Sequence, residues 1–140
     1  MNVSTRFSVA LHALTLLASQ PDEALTSEFI AGSINTNPAF VRRLMGSLRA
    51  AGLVTSQPGN RGGWELAADP ERLNLAEVRR AVDEGAPFAL HAKPPNVQCP
   101  VGRNIQRALT GVYARAERAM EAELGRTSVA GLLRAVRRGR

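Results

Sequence analysis

The stretch Thr26–Gly52, which reads TSEFIAGSINTNPAFVRRLMGSLRAAG, predicts two short helices joined by a tight turn. Thr26 can cap the first helix, because its hydroxyl accepts a hydrogen bond from an otherwise unpaired backbone N–H. Asn37 followed by Pro38 predicts the start of the second helix, since Asn is a favoured cap and Pro at the first helical position gives up no hydrogen bond. Gly52 ends that helix, and two helices in this order form a helix-turn-helix. The helices are expected at about 26–32 and 37–51, with the turn at 33–36.

The segments on either side extend this motif. A helix is predicted at 4–19, because apolar side chains recur there at steps of three and four residues. Downstream, the short runs 53–56 and 64–67 flank a Gly-rich turn, a pattern typical of a β-hairpin. The predicted fold class is therefore mainly α with a small β wing, a winged helix-turn-helix.

The C-terminal part predicts three further helices and an irregular loop. Asn74 with Glu77 three residues later resembles a capping box, which opens a helix that continues to about Val82. Several prolines between 85 and 100 indicate a loop or linker, and a short last helix is expected from Thr127, burying Val129, Leu132, Leu133 and Val136. We expect a winged domain at 1–84, a Pro-containing loop at 85–99, and dimerisation and C-terminal helices at 100–140.

A long helix is predicted between Pro100 and Leu124, and it carries one apolar stripe. Such a helix is about 37 Å long, which is more than the small N-terminal core can cover. The stripe therefore favours a homodimer in which two long helices pack together, although it could also pack within one chain. The stripe consists of Val101, Ile105, Ala108, Leu109, Val112, Ala116, Met120 and Leu124.

The positive charge of the chain is concentrated in the helix-turn-helix and the wing. The formal net charge is +6, and no carboxylate occurs between Glu28 and Glu65. A surface that approaches phosphates requires this asymmetry, because a carboxylate there would repel them. The second helix is expected to bury one face and to expose arginines on the other, which could also be a merely solvated face. The predicted core face is Val41, Leu44, Met45 and Leu48, and the arginines of the window are Arg42, Arg43, Arg49 and Arg61.

Other classes of protein find little support in the sequence. There is no phosphate-binding Gly-rich loop, no metal-spaced set of His and carboxylates, and no nucleophile with a placed base, so no enzyme is predicted. No apolar run approaches the roughly 20 residues that span a bilayer, and the N-terminus does not resemble a signal peptide. A single cysteine favours the cytoplasm. A winged-helix module that contacts protein or RNA remains the alternative to a DNA-binding regulator.

Several motifs in a fixed order resemble the Rrf2 family of bacterial transcription regulators. They are followed by a helix, a loop with a cysteine and a long C-terminal helix, so the resemblance spans nearly the whole chain. The motifs are Thr26-Ser27-Glu28-Phe29-Ile30-Ala31, Asn37-Pro38, Arg42-Arg43-Leu44, Leu48-Arg49, Ala51-Gly52-Leu53-Val54 and Gly62-Gly63-Trp64-Glu65-Leu66-Ala67.

The resemblance implies a repressor that binds a palindromic DNA operator as a homodimer, with two winged domains in adjacent major grooves. It places Asn37 and Ala39 near phosphate or base edges, and it matches Arg42 to a position used for base contact. Of the other two arginines of the helix, Arg43 or Arg49 is expected to bind backbone phosphate. The wing of the family commonly starts with an Arg, whereas this chain has Pro58 there and carries Arg61 three residues later. Arg61 at the wing tip would suit a phosphate or minor-groove contact.

Many members of this family bind an iron–sulfur cluster through three cysteines before the long helix. This chain has only Cys99, which matches the last of the three. One thiolate cannot supply the four ligands that a cluster ordinarily needs, even with His91 as a second ligand, so no cofactor is predicted. Cys99 precedes Pro100 and is expected at the N-cap of the long helix, where the helix dipole favours a thiolate, with Arg103 adding positive charge. It is either a redox-sensing thiol or simply a small residue at a helix start.

Overall fold

The computed structural model describes residues 5–60, 62–82 and 85–139. These residues form six helices and two strands in the predicted order, which confirms a mainly helical chain with a small β wing. No helix within the described ranges has both the length and the apolar character needed to cross a membrane. The elements are α1 (Arg6–Ser19), α2 (Ser27–Ile34), α3 (Pro38–Ala50), β1 (Val54–Gln57), β2 (Gly63–Leu66), α4 (Leu75–Val82), α5 (Pro100–Leu124) and α6 (Val129–Arg138).

The helix-turn-helix is fixed by the two predicted caps. The Thr26 hydroxyl accepts from the backbone N–H of Phe29 at 3.0 Å, and the Asn37 side chain accepts from that of Ala39 at 2.7 Å. The turn is shorter than predicted, because α2 continues to Ile34. Asn35 then reverses the chain in the left-handed conformation (φ 65°), which Asn tolerates better than most residues.

The wing is an antiparallel hairpin that is attached to the segment before α2. Strands β1 and β2 pair from Val54 with Leu66 to Gln57 with Gly63. Strand β1 begins and ends one residue later than predicted, and β2 begins and ends one residue earlier. Trp64 and Leu25 exchange two backbone hydrogen bonds, of 2.7 and 3.0 Å. Gly63 has φ 154°, and a Cβ there would lie 2.6 Å from the backbone of Leu25. Glycine is therefore required where the wing meets this segment.

The core of the winged unit lies beneath α3. The predicted core face of this helix is confirmed, because Val41, Leu44, Met45 and Leu48 are all essentially inaccessible to solvent. They pack in one hydrophobic cluster with residues of α1, α2 and the hairpin. Trp64 from β2 belongs to the same cluster, and its indole N–H donates to the Ser27 hydroxyl at 3.0 Å. Burial of one face of α3 leaves the opposite face free for contact with a partner.

Helix α6 packs against α1 rather than extending the long helix. The backbone N–H of Val129 donates to Leu73 O at 2.8 Å, and Val129 itself is fully buried. The prediction that Leu132, Leu133 and Val136 are also buried is wrong: the two leucines are half-buried and Val136 is 60% exposed. Only the first turn of α6 lies deep in the core, so the remainder of its apolar stripe is left accessible.

The chain divides into two compact units, Met1–Glu84 with Leu124–Arg140, and Gly85–Glu123. This division differs from the expected one, which grouped all of 100–140, because backbone hydrogen bonds tie 127–130 to 70–75. In the second unit the rings of Phe88 and Tyr113 stack at 5.1 Å, which attaches the Pro-containing loop to α5. Helix α5 has the predicted limits, and none of its 25 residues is buried.

Candidate DNA-binding surface

Helix α3 presents three arginines on the face opposite its buried side. Arg42, Arg43 and Arg49 are all exposed. The residues on the other side of the helix, Val41, Leu44, Met45 and Leu48, are buried in the core. The two turns between Arg42 and Arg49 span about 10 Å. The arrangement is an exposed cationic stripe on a rigid helix, which is the geometry that phosphate and base contacts need.

Arg42 forms an ion pair with an acidic residue from the neighbouring helix. Its guanidinium donates to the Glu28 carboxylate at 3.0 Å, and the two side chains are 54% and 67% exposed. The carboxylate-free window begins just after Glu28. The sequence alone therefore does not show that α2 places this carboxylate beside α3. Exposed pairs of this kind contribute at most about 1 kcal/mol, so Arg42 can exchange Glu28 for another acceptor.

Arg49 is held between the end of α3 and the hairpin. Its guanidinium donates to the Ser56 hydroxyl at 3.3 Å and lies 5.6 Å from the centre of the Trp64 ring. A cation over an aromatic face is stabilised by the ring quadrupole and loses little of its hydrogen-bonding capacity. The sequence predicts Arg49 as a contact residue but does not place Ser56 or Trp64 beside it, because no local pattern shows that they lie on the same side as the end of α3.

The other predicted contact residues are placed as follows. The Asn37 side chain caps α3 by accepting a hydrogen bond from the backbone N–H of Ala39. Ala39 is half-buried. Within the described ranges the Arg43 guanidinium has no ion pair or hydrogen bond. Arg61 lies outside the described residues. The structure therefore brings Arg42, Arg43 and Arg49 together, whereas contact between any of these residues and DNA stays a prediction.

Cys99 lies directly before α5, and its side chain is exposed. Its sulfur accepts from the backbone N–H of Gly102 at 3.5 Å, which is the N-cap position predicted for it. Arg103 lies one turn further along α5, and its Nε donates to Val97 O at 3.0 Å. The thiol is accessible at a helix N-terminus.

A helix-turn-helix with an antiparallel hairpin and an exposed arginine stripe on its second helix defines a winged-helix protein of the kind that contacts nucleic acid. Residues 3–135 match the Rrf2 family, described as iron-dependent transcriptional regulators. The chain belongs to this family of transcriptional regulators.

Relatives and solved structures agree with this assignment. YwnA of Bacillus subtilis, which carries the name of an HTH-type transcriptional regulator, is 43% identical over 128 residues, covering 91% of this chain and 93% of that protein. The crystal structure of a chain named as a DNA-binding protein is 39% identical, with a TM-score of 0.73 over 91% of this chain and 98% of that one. CymR, the global cysteine regulator of B. subtilis, shares the fold at 20% identity, with a TM-score of 0.73 over 96% and 98% of the two chains.

The iron in the family description raises the question whether this chain has ligands for it. Cys99 is the single cysteine of the sequence. Among the described residues no group of three or more His, Cys, Asp or Glu side chains is placed to hold a metal ion. These side chains do not fit an iron–sulfur cluster, which is ordinarily held by four cysteine or histidine ligands.

Proposed function

We propose that this protein is a sequence-specific repressor that binds a palindromic DNA operator as a homodimer in the bacterial cytoplasm. The observation that carries this proposal is the exposed stripe of Arg42, Arg43 and Arg49 on α3, in a segment with no carboxylate between Glu28 and Glu65. In this proposal Arg42 reads a base edge, and Arg43 and Arg49 bind phosphate, with Asn37, Ala39 and Arg61 at the margins of the contact.

The exposed stripe of α5 supports the homodimer. Val101 and Val112 are 68% and 47% exposed in the single chain, and the helix buries none of its residues. A solvent-exposed apolar stripe on a 25-residue helix is unfavourable unless another surface covers it. A twofold pair of such helices covers both stripes at once and sets two recognition helices at a fixed spacing, which is what a palindrome requires.

The operator can be selected from a pool of random DNA duplexes with the reduced protein. We expect enrichment of a twofold-symmetric site whose affinity falls steeply with salt, with a slope of about −5 or steeper in a plot of log K against log salt, because several phosphates are contacted per subunit. Enrichment of no sequence, with weak binding throughout, would instead indicate a winged-helix module for protein or RNA contacts.

Cys99 carries a second, separable part of the proposal, a thiol that regulates DNA binding. Its exposed sulfur at the N-terminus of α5 is open to oxidation by peroxide, first to a sulfenic acid. We expect peroxide to weaken operator binding by the wild-type protein and thiol reductant to restore it, whereas Cys99→Ser binds equally well with and without peroxide. Equal loss of binding in Cys99→Ser would mean that another residue is oxidised, and no loss in either protein would make Cys99 a structural residue.

A further inference from the structure

A carboxylate lies beside one arginine of the exposed stripe on α3, within the surface that is proposed to bind DNA. Glu28, in the first turn of α2, accepts a hydrogen bond from Nη1 of Arg42 at 3.0 Å. Both side chains are more than half exposed. An acid on a surface that approaches phosphates is unfavourable, because the two negative charges repel each other. Bound DNA compensates for this repulsion only where it offers the carboxylate a hydrogen-bond donor.

The contribution of Glu28 to the fold does not explain this placement. An acid in the first turn stabilises a helix, because the N-terminal end of the helix dipole is positive. That effect needs the charge but not a side chain of this length, and the Thr26 hydroxyl already caps α2 through the N–H of Phe29. An ion pair that is exposed to water adds little stability. Neither effect requires the carboxylate to meet the guanidinium of the residue that is proposed to read a base.

The spacing of the two charged groups matches the major-groove edge of a G·C base pair. Guanine presents two acceptors there, N7 and O6, and cytosine presents the donor N4. O6 and N4 are joined by an N–H···O hydrogen bond of the base pair, so they lie about 2.9 Å apart. Nη1 of Arg42 and Oε1 of Glu28 are 3.0 Å apart. A protein donor and a protein acceptor at this separation are complementary to the adjacent O6 and N4 atoms.

Arg42 has enough donors to bind Glu28 and guanine at the same time. A guanidinium carries five N–H donors, and the bond to Glu28 uses one of them. The others remain for O6 and N7 of guanine. The carboxylate has lone pairs left after accepting from Arg42, and one of them can accept from the N4 amino group of cytosine. The ion pair therefore need not break when DNA binds.

We propose that Glu28 is a specificity-determining residue, and that it reads one G·C base pair together with Arg42. The guanidinium donates to guanine, and the carboxylate accepts from cytosine N4. This inference rests on the proposed function, in which Arg42 reads a base edge. In an A·T or C·G pair at the same place, thymine O4 or guanine O6 replaces the cytosine donor, and the carboxylate faces an acceptor. A T·A pair keeps a donor for Glu28 but lacks the second acceptor for Arg42.

The inference is tested with the full-length protein on variants of the selected operator. The base pair that Arg42 reads is the one whose replacement no longer matters to Arg42→Ala, and it is changed in both half-sites. We expect Glu28→Gln to bind the A·T and C·G variants on the order of tenfold more tightly than the wild type, because an amide can donate to the acceptor there. The T·A variant should gain no more than the operator itself. Glu23→Gln is the matched control, since it removes one exposed charge from the segment before α2 and should affect all four duplexes alike.

A modified base separates the carboxylate contact from the guanidinium contact. N4-methylcytosine in the same pair keeps the guanine and the base pairing but puts a methyl group in place of the N4 hydrogen that points into the major groove. The wild type should bind this duplex on the order of tenfold more weakly than the operator, whereas Glu28→Ala should bind both equally. Glu28→Asp keeps the charge in the first turn of α2 but is one methylene shorter. We expect it to keep the melting temperature of the wild type and to lose the response to the methyl group.

Several outcomes would overturn the inference and leave the proposed function standing. Equal effects of Glu28→Gln and Glu23→Gln on the four duplexes would reduce Glu28 to a general effect of charge. Full binding of the wild type to the N4-methylcytosine duplex, or equal loss of binding in Glu28→Ala, would show that Glu28 does not contact cytosine. A base pair other than G·C at the place that Arg42 reads would have the same meaning. If the protein selects no operator, the proposed function fails and the inference fails with it.

Discussion

An Arg42→Ala variant is expected to lose most of its discrimination between the selected operator and unrelated DNA. A guanidinium that donates two hydrogen bonds to one guanine edge contributes about 1–3 kcal/mol of discrimination, which is about 5- to 150-fold for each half-site. The side chain is exposed and its one ion pair is weak, so its removal should leave the fold intact. Binding curves on the operator and on a scrambled duplex of equal length, at one salt concentration, measure the effect.

Two neighbouring substitutions serve as controls for Arg42. Arg43→Ala should weaken binding to both duplexes alike and reduce the salt slope by about 1 per subunit, as expected for a phosphate contact. Glu28→Gln releases Arg42 from its ion pair in the free protein and should tighten binding by less than about 1 kcal/mol. If Arg42→Ala weakens both duplexes equally, Arg42 contacts phosphate and the base-reading residue lies elsewhere on α3.

A Val112→Glu variant is expected to be monomeric and to lose operator affinity by on the order of 100-fold or more. Val112 lies at the centre of α5 and is 47% exposed in the single chain, so the substitution can be accommodated by the folded monomer but not by a packed pair of helices. An unpaired carboxylate at a buried interface is strongly unfavourable. Two linked binding modules exceed the affinity of one by about 10²- to 10⁴-fold, and the monomer loses this gain.

Thr110→Glu is the matched control for Val112→Glu. Thr110 is exposed two residues away, off the apolar stripe, and should tolerate the same charge without change in mass or affinity. Sedimentation velocity gives the oligomeric state, and binding to the full operator and to a single half-site gives the loss of affinity. A Val112→Glu protein that remains dimeric would place the dimer interface elsewhere, and a monomer with full operator affinity would show that two subunits are not needed.

The parts of the fold that depend on local chemistry were predictable from the sequence. The helix caps are local, because the side chains of Thr26, Asn37 and Asn74 each accept a hydrogen bond from a residue at most three positions further on. Helix α5 likewise begins and ends where predicted. The contacts of the candidate site were less predictable. Two contacts join residues from different elements: Glu28 pairs with Arg42, and Trp64 stacks against Arg49. Only tertiary packing brings these residues together.

Helix α6 illustrates the same limit in a different way. Its apolar periodicity correctly predicts an amphipathic helix, but periodicity cannot tell how much of the apolar side is covered. Tertiary packing buries Val129 and leaves Val136 in solvent, because backbone pairing with residues 70–75 fixes the start of α6 and not its end.

The position of Trp64 has a consequence for how this protein can evolve. Its backbone is hydrogen-bonded to Leu25, its indole N–H to Ser27, and its ring faces Arg49. The wing and α3 therefore share one buried anchor. Arg42 and Arg43 contribute nothing to that anchor. Substitutions of the exposed side chains on α3, which are the proposed DNA contacts, can therefore alter the preferred DNA sequence, while the anchor preserves the framework that presents those side chains.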